Sequence, residues 1–292
     1  MRSILAKIIR HPIVRLVLGI VIFMTLNAVT QIVAFSTAGI TENYALAIFF
    51  TLVLAIFSCF AYALFVRLLE RRPVTELGIK GAAQEWCKGW VLGFILFTLT
   101  IGLLWVLGAY HVNGTNPVSV LGPIILISIL SSVFEEIVFR GILFRITEEG
   151  LGTWMALVIS SIIFGAVHHA NSNATWFSTL AIAVEAGILL GAAYMFTRRL
   201  WLAMGIHFAW NFAQGGIYGV PVSGNPVEGL LNGSLSGPSL LSGDGFGAEA
   251  TLAALLVSTA AGLYLLWRSI KNNGVIEPFW VRRRKQDTTT NV

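Results

Sequence analysis

The stretch SSVFEEIVFRGILF, residues 131–144, combines the hydrophobicity of a membrane helix with three charged side chains. Glu135, Glu136 and Arg140 are costly to place in hydrocarbon, because an ionised group loses its hydration there. Such residues therefore face the interior of a helical bundle or a water-filled cavity, and they mark functional sites by default. This stretch predicts a polar site inside a membrane domain.

The composition of the whole chain is that of a membrane protein. Of its 292 residues, 56% are hydrophobic and 11% are charged, whereas soluble domains carry about a quarter charged residues. Apolar runs of about 20 residues recur, which is long enough to cross a ~30 Å hydrocarbon core as helices. The predicted fold is an all-α, polytopic transmembrane bundle that forms a single membrane domain over residues 1–292. The two cysteines form no metal-binding or disulfide pattern.

Apolar periodicity and length predict eight membrane helices. They cover residues 16–36, 44–66, 89–110, 118–144, 153–170, 176–197, 200–214 and 249–267. The first is interpreted as an uncleaved membrane helix, because its apolar run is long for a signal peptide.

Lysine and arginine fall on one side of this helix map. They occur near both chain ends and in alternate loops, and Arg140 lies just inside the same side. The other loops, near 37–43, 111–117, 171–175 and 215–248, contain none. Because positive residues stay in the cytoplasm, both termini are predicted to be cytoplasmic. The net charge of +5 then belongs to the membrane topology and predicts no nucleic-acid partner.

Helix geometry separates the two glutamates of the opening stretch. Residues four apart share a helix face, whereas adjacent residues diverge by about 100°. Glu136 and Arg140 are four apart and can pair, which offsets much of their burial cost. Glu135 has no partner on its own helix, which makes it the candidate general base.

Two further predicted helices carry polar residues that suit a shared site. His207 and Asn211 are four apart on the seventh helix, and His168 ends the fifth. Together with Glu135 they predict a catalytic or transport site among three helices. Interhelical hydrogen bonding is the alternative role for each of them alone. Glu185, on the sixth helix, fits either a cavity wall or a protonated, hydrogen-bonded position.

Three other intramembrane protease chemistries lack their residues. Neither the H-E-x-x-H string of zinc proteases nor the G-x-S-G or G-x-S-x-G string of serine proteases occurs. An aspartyl dyad needs two membrane aspartates that share a proton. The two aspartates of this chain are Asp244, in a predicted outer loop, and Asp287, in the tail.

The polar residues resemble the motifs of a known family. EEIVFR (residues 135–140) matches the E-E-x-x-x-R motif of the CAAX protease and bacteriocin-processing family, also called CPBP or Abi. FGAVH (164–168) matches its F-x-x-x-H motif, and HFAWN (207–211) matches its H-x-x-x-N motif. The motifs occur in the family's order on separate predicted helices. The resemblance covers about residues 118–215, which we take as the catalytic core.

The resemblance implies an intramembrane endopeptidase similar to the type II CAAX prenyl endopeptidases. It implies that Glu135 activates the attacking water with help from His168. His207 and Asn211 would stabilise the oxyanion. The implied location is a bacterial plasma membrane, and the implied partners are the lipid bilayer and a membrane-associated protein or peptide, prenylated or not.

The resemblance leaves the chemical mechanism open. In a glutamic and in a metal-dependent mechanism alike, Glu136 and Arg140 would support Glu135. Family members are described both as glutamic proteases and as metalloproteases, and a zinc ion would use Glu135, His168 and His207 as a His₂Glu set. We favour the metal-free version, so no cofactor is predicted. The alternative function is a non-catalytic membrane protein, either a bacteriocin self-immunity factor or a transporter.

Two features test this interpretation. At about 1.5 Å per residue, Glu135 lies about 15 Å from Arg145, but His168 lies about 25 Å from the start of its helix. The fifth helix must therefore tilt or begin below the membrane surface. The Gly-, Ser- and Pro-rich loop 215–248 is expected to be either functional or a flexible connector.

Overall fold

Long apolar helices dominate the computed structural model, which describes residues 11–41 and 43–289. The helices are α1 Pro12–Thr41, α2 Tyr44–Phe65, α3 Ala82–Val106, α4 Leu121–Leu130, α5 Arg145–His168, α6 Trp176–Thr197, α7 Trp201–Asn211, α8 Leu252–Asn273 and α9 Phe279–Thr289. Two short strands, β1 Tyr110–Thr115 and β2 Leu231–Leu235, pair antiparallel, with Tyr110 opposite Leu235. The predicted helical membrane fold is confirmed.

Within the described residues, six helical stretches are long and apolar enough to cross a membrane, as expected of an integral membrane protein. They are Pro12–Ile40, Tyr44–Glu70, Ala82–Val106, Val118–His168, Trp176–Thr197 and Leu252–Asn273. The predicted fourth and fifth helices belong to one run of 51 residues, which is interrupted at Gly152, where φ is 81°. The count of eight membrane helices and the placement of both termini stay predictions. Residues 1–10, with three of the predicted cytoplasmic charges, lie outside the described residues.

The stretch that carries the paired glutamates is π-helical. α4 continues into two π-helical segments, Ser131–Glu135 and Ile137–Phe144, before α5 begins. A π-helix widens the backbone to i→i+5 hydrogen bonds and occurs mostly at functional sites. All eight residues of the second segment are buried. This second segment is therefore part of the core.

Glycines place α7 directly against α3. A Cβ atom at Gly89 or Gly93 of α3 would overlap the backbone of α7, and one at Gly205 of α7 would overlap the backbone of α3. Only glycine permits such a close approach of two helix backbones. This contact fixes the part of α7 that carries His207.

One end of the bundle, which we call the charged end, is held by ion pairs. Arg145 pairs with Glu70 at 2.7 Å and with Glu149 at 2.8 Å. Arg15 of α1 also pairs with both carboxylates. The same end holds further pairs that involve Arg72, Arg198 and Arg199. These are the loops in which the sequence placed the cytoplasmic charges.

The opposite end, which we call the β end, contains the strand pair and the loops without lysine or arginine. Asn171, in the loop before α6, donates a hydrogen bond to the Ser223 carbonyl at 3.0 Å. Asn116 likewise donates to the Gly229 carbonyl. The long Gly-rich loop is therefore packed against the other loops of this end. It contains β2 and short helical turns, and it is more than a simple connector.

Candidate active site

Three helices bring Glu135, His168 and His207 together, as the motifs predict. The Oε2 atom of Glu135 lies 3.9 Å from Nε2 of His168 and 4.0 Å from Nε2 of His207. Both distances exceed a direct hydrogen bond, and this oxygen has no hydrogen-bond partner among the described residues. The Glu135 side chain is 26% exposed. The Oε2 atom itself is shielded from solvent, and it faces the two rings without a direct bond to either.

The F-x-x-x-H motif fixes the orientation of His168. Its Nδ1 lies 2.7 Å from the carbonyl oxygen of Phe164. Because a carbonyl only accepts, Nδ1 carries a proton, and Nε2 of the neutral ring presents a lone pair towards Glu135. His168 reaches Glu135, as the site requires, and α5 contains a break in helical geometry at Gly152.

Glu136 is fully buried and connects Arg140 with His207. Its Oε1 accepts a hydrogen bond from Arg140 Nη1 at 2.8 Å and one from His207 Nδ1 at 2.9 Å. Arg140 also donates to the Ala186 carbonyl, and its guanidinium lies 4.7 Å from the centre of the Phe164 ring. The Glu136–Arg140 pair predicted from spacing is present. Spacing along one helix did not predict that His207 would also bond to Glu136.

The bond to Glu136 determines what His207 can do. Because Nδ1–H donates to the carboxylate, Nε2 faces Glu135 as a lone pair in the neutral ring. It becomes an N–H donor only when the ring carries both protons. Such an imidazolium would have a carboxylate near each nitrogen, Glu136 at Nδ1 and Glu135 at Nε2.

Asn211 is held by a residue that the sequence did not single out. Its Nδ2 donates to the hydroxyl oxygen of Ser131 at 2.8 Å. The Ser131 hydroxyl in turn donates to the Ile127 carbonyl at 2.9 Å. The chain of bonds leaves the second N–H of the Asn211 amide for another acceptor. Ser131 begins the opening stretch, but a serine in a membrane helix carries no signal of this role.

A cavity of about 380 Å³ opens from these residues. Glu135, His168, His207 and Asn211 all line it, so the four predicted catalytic residues share one space. Its other walls come from α1, from α4 and from the loops at the β end. This cavity is the candidate active site.

A smaller compartment with two buried carboxyls lies behind the two histidines. Glu185 and Glu249 line it, and Oε2 of Glu185 has no partner within the described part of the chain. Glu249 accepts a hydrogen bond from the Ser223 backbone N–H at 2.6 Å and one from the Gln214 amide at 3.2 Å. Ser223 lines both spaces. Glu249, which the sequence placed at a helix start without a role, thus anchors the Gly-rich loop over the site.

The zinc version finds no support in this geometry. Within residues 11–41 and 43–289, no group of three or more His, Cys, Asp or Glu side chains is arranged to hold a metal ion. Glu135, His168 and His207 converge with their facing atoms about 4 Å apart, and the second nitrogen of each ring is bonded to protein, which is common to metal-bound and metal-free histidines. A metalloprotease is therefore not supported, and the class of mechanism is a matter for proposal.

A comparison with known protein families falls on the segment that carries the motifs. Residues 117–213 match a family described as type II CAAX prenyl endopeptidase Rce1-like. Over 88 residues the chain is 32% identical to a Bacillus subtilis protein named "Putative membrane peptidase YdiL". That match covers 30% of this chain, and the chain spans about a third, 34%, of the length of the relative. No solved structure matches the chain significantly.

The family match covers the helices that carry the three motifs. The resemblance predicted from the motifs is confirmed over this segment, which matches a family of the CAAX-protease type.

Proposed function

We propose that this protein is an intramembrane endopeptidase that hydrolyses a peptide bond of a membrane-associated protein or peptide without a metal ion. The observation that carries the proposal is the free Oε2 of Glu135, which faces Nε2 of both His168 and His207. A buried-site carboxylate without a partner is costly unless a substrate or water uses it.

The first step is activation of a water molecule. A water near Glu135 and His168 donates one hydrogen bond to the carboxylate and one to the Nε2 lone pair of His168. As its oxygen attacks the peptide carbonyl carbon, one proton passes to Glu135. When the tetrahedral intermediate collapses, the C–N bond breaks and that proton passes to the leaving nitrogen. Glu135 is then ionised again.

The second requirement is a pair of donors for the oxyanion. The free N–H of Asn211 supplies one, and Nε2–H of His207 supplies the other when that ring is doubly protonated. Ser131 orients the first donor, and Glu136 orients the second. Glu136 and Arg140 are therefore positioning residues, because they act on the site through His207.

The cavity favours hydrolysis over transport. Along the chain, the eight buried residues Ile137–Phe144 separate Glu135 from Arg145 at the charged end. The cavity at that end, lined by Arg72, Arg145 and Arg198, has no lining residue in common with the catalytic cavity. The two cavities are thus separate among the described residues, which suits a reaction site better than a transport path.

The test is proteolysis by the purified protein in liposomes, with fluorogenic membrane peptides in prenylated and unprenylated forms. We expect Glu135→Gln to lower kcat/KM by about 10³-fold, in the range that a general base contributes. Glu149→Gln, at the charged end, is the matched control and should cleave like the wild type. Activity that survives in Glu135→Gln would refute the assigned base, and the comparison of the two peptides shows whether a prenyl group is needed.

A further inference from the structure

The catalytic cavity opens at the β end. Asn171, from the loop before α6, lines it together with Val222, Ser223 and Asn225 of the Gly-rich loop. Asn225 is exposed, so the cavity reaches the surface there. The cavity at the charged end, lined by Arg72, Arg145 and Arg198, shares no lining residue with it.

The distribution of positive charge assigns the β end to the outside of the membrane. No lysine or arginine occurs in residues 89–139 or 200–267, which contain both β strands and the Gly-rich loop. The short loops at the charged end instead carry clusters such as Arg198–Arg199 and Arg71–Arg72. Positive residues in short loops next to membrane helices stay in the cytoplasm. The charged end is therefore cytoplasmic, and the cavity faces away from it.

The rim of the cavity suits an extended peptide. Asn27 and Gln31 of α1, with Asn171 and Asn225, present carboxamides, which donate and accept hydrogen bonds as a peptide group does. Gln31 and Phe35 are exposed on α1, so the rim also opens sideways towards lipid. Among the described residues that line the cavity there is no lysine or arginine to bind a free carboxylate.

We propose that the site takes its substrate from the non-cytoplasmic side, as a membrane-anchored peptide segment that emerges from the outer leaflet and is cut at an internal peptide bond. This inference rests on the proposed endopeptidase function for its substrate. Its orientation rests only on the charge pattern and on the direction in which the cavity opens.

Cysteine labelling in intact cells tests the orientation without any need for activity. In a background with Cys59→Ala and Cys87→Ala, single variants Asn225→Cys at the rim and Lys80→Cys at the charged end are treated with a membrane-impermeant sulfonated maleimide. Asn113→Cys on β1 is a second reporter of the β end. We expect both β-end variants to label at least an order of magnitude more than Lys80→Cys, which should react only after permeabilisation.

The reverse pattern, or equal labelling of both ends in intact cells, would overturn the orientation. Labelling of Asn113→Cys decides the result if Asn225→Cys is shielded by the loop. The same labelling in Glu135→Gln shows that orientation is measured independently of catalysis.

Paired reporters test the substrate. Each carries the same cleavable segment beside a single membrane helix, on the outer side in one reporter and on the cytoplasmic side in the other. We expect the wild type to cut only the outer reporter and Glu135→Gln to cut neither. Preferential cleavage of the cytoplasmic reporter would overturn the inference. If neither reporter is cut, the proposed function fails, while the labelling still decides the orientation.

Discussion

The charged end and the catalytic site use the same residue types with opposite results. At the charged end, Glu70 is almost fully buried and accepts ion pairs from three arginines. At the site, Glu136 is equally buried and pairs with Arg140 and His207 through Oε1, whereas its neighbour Glu135 has no ion pair closer than 3.9 Å. Charges that are paired hold the helices together, whereas the carboxylate without a close ion pair is the one we propose as the reacting group.

The largest effect is expected from replacing Glu136, the paired glutamate of the site. Glu136→Ala leaves Arg140 buried and unpaired, which should destabilise the fold by about 3–5 kcal/mol. Thermal unfolding in detergent measures the loss. The double variant Glu136→Leu/Arg140→Met should recover most of the stability but little of the activity, because His207 still lacks its acceptor. Recovery of full activity would show that the pair plays no part in positioning His207.

Removal of an oxyanion donor should affect catalysis alone. Asn211→Ala should lower kcat by about 10²-fold, as found for single donors of this kind. Its unfolding temperature should stay close to that of the wild type. A change confined to KM would contradict the oxyanion role and would assign Asn211 to substrate binding.

A weaker ion-pair network at the charged end should lower stability and leave catalysis unchanged. Glu70→Gln weakens charge-assisted bonds to three arginines, which should lower stability by about 1.5–3 kcal/mol. The kcat/KM per folded molecule should be unchanged. A loss of activity without a loss of stability would contradict the assignment of the charged end to stability and of the site to catalysis.

The smallest expected effect belongs to Ser131. Ser131→Ala removes the acceptor that orients Asn211, and one hydrogen bond is worth up to about 1.5 kcal/mol, or about tenfold in rate. The double variant Ser131→Ala/Asn211→Ala should be no slower than Asn211→Ala, since Ser131 acts through the amide. Additive losses would show that Ser131 has an independent role.

Sequence reasoning found the residues with strong chemistry and missed their neighbours. Charges in a hydrophobic segment and i,i+4 spacing sufficed to predict Glu135, the Glu136–Arg140 pair and the convergence with His168, His207 and Asn211. The bond from His207 to Glu136 joins residues 71 positions apart, and spacing along a helix carries no information about it.

The same limit applies to the rest of the site. Ser131 and Glu249 were missed because a serine in a helix and a glutamate at a loop end are ordinary residues until their partners are known. The π-helical segments were also missed, because apolar periodicity does not separate π from α over so few residues. The loops were sorted correctly into two ends because the rule rests on charge alone.

The central claim is that Glu135 activates water without a metal ion. The most direct test is single-turnover cleavage of a membrane peptide in ¹⁸O-water after exhaustive chelation, with products identified by mass spectrometry. We predict that the wild type keeps its rate and places one ¹⁸O in the new carboxylate, and that Glu135→Gln loses about 10³-fold. Loss of wild-type cleavage on chelation with recovery by zinc, or cleavage by Glu135→Gln at the wild-type rate, would contradict the claim.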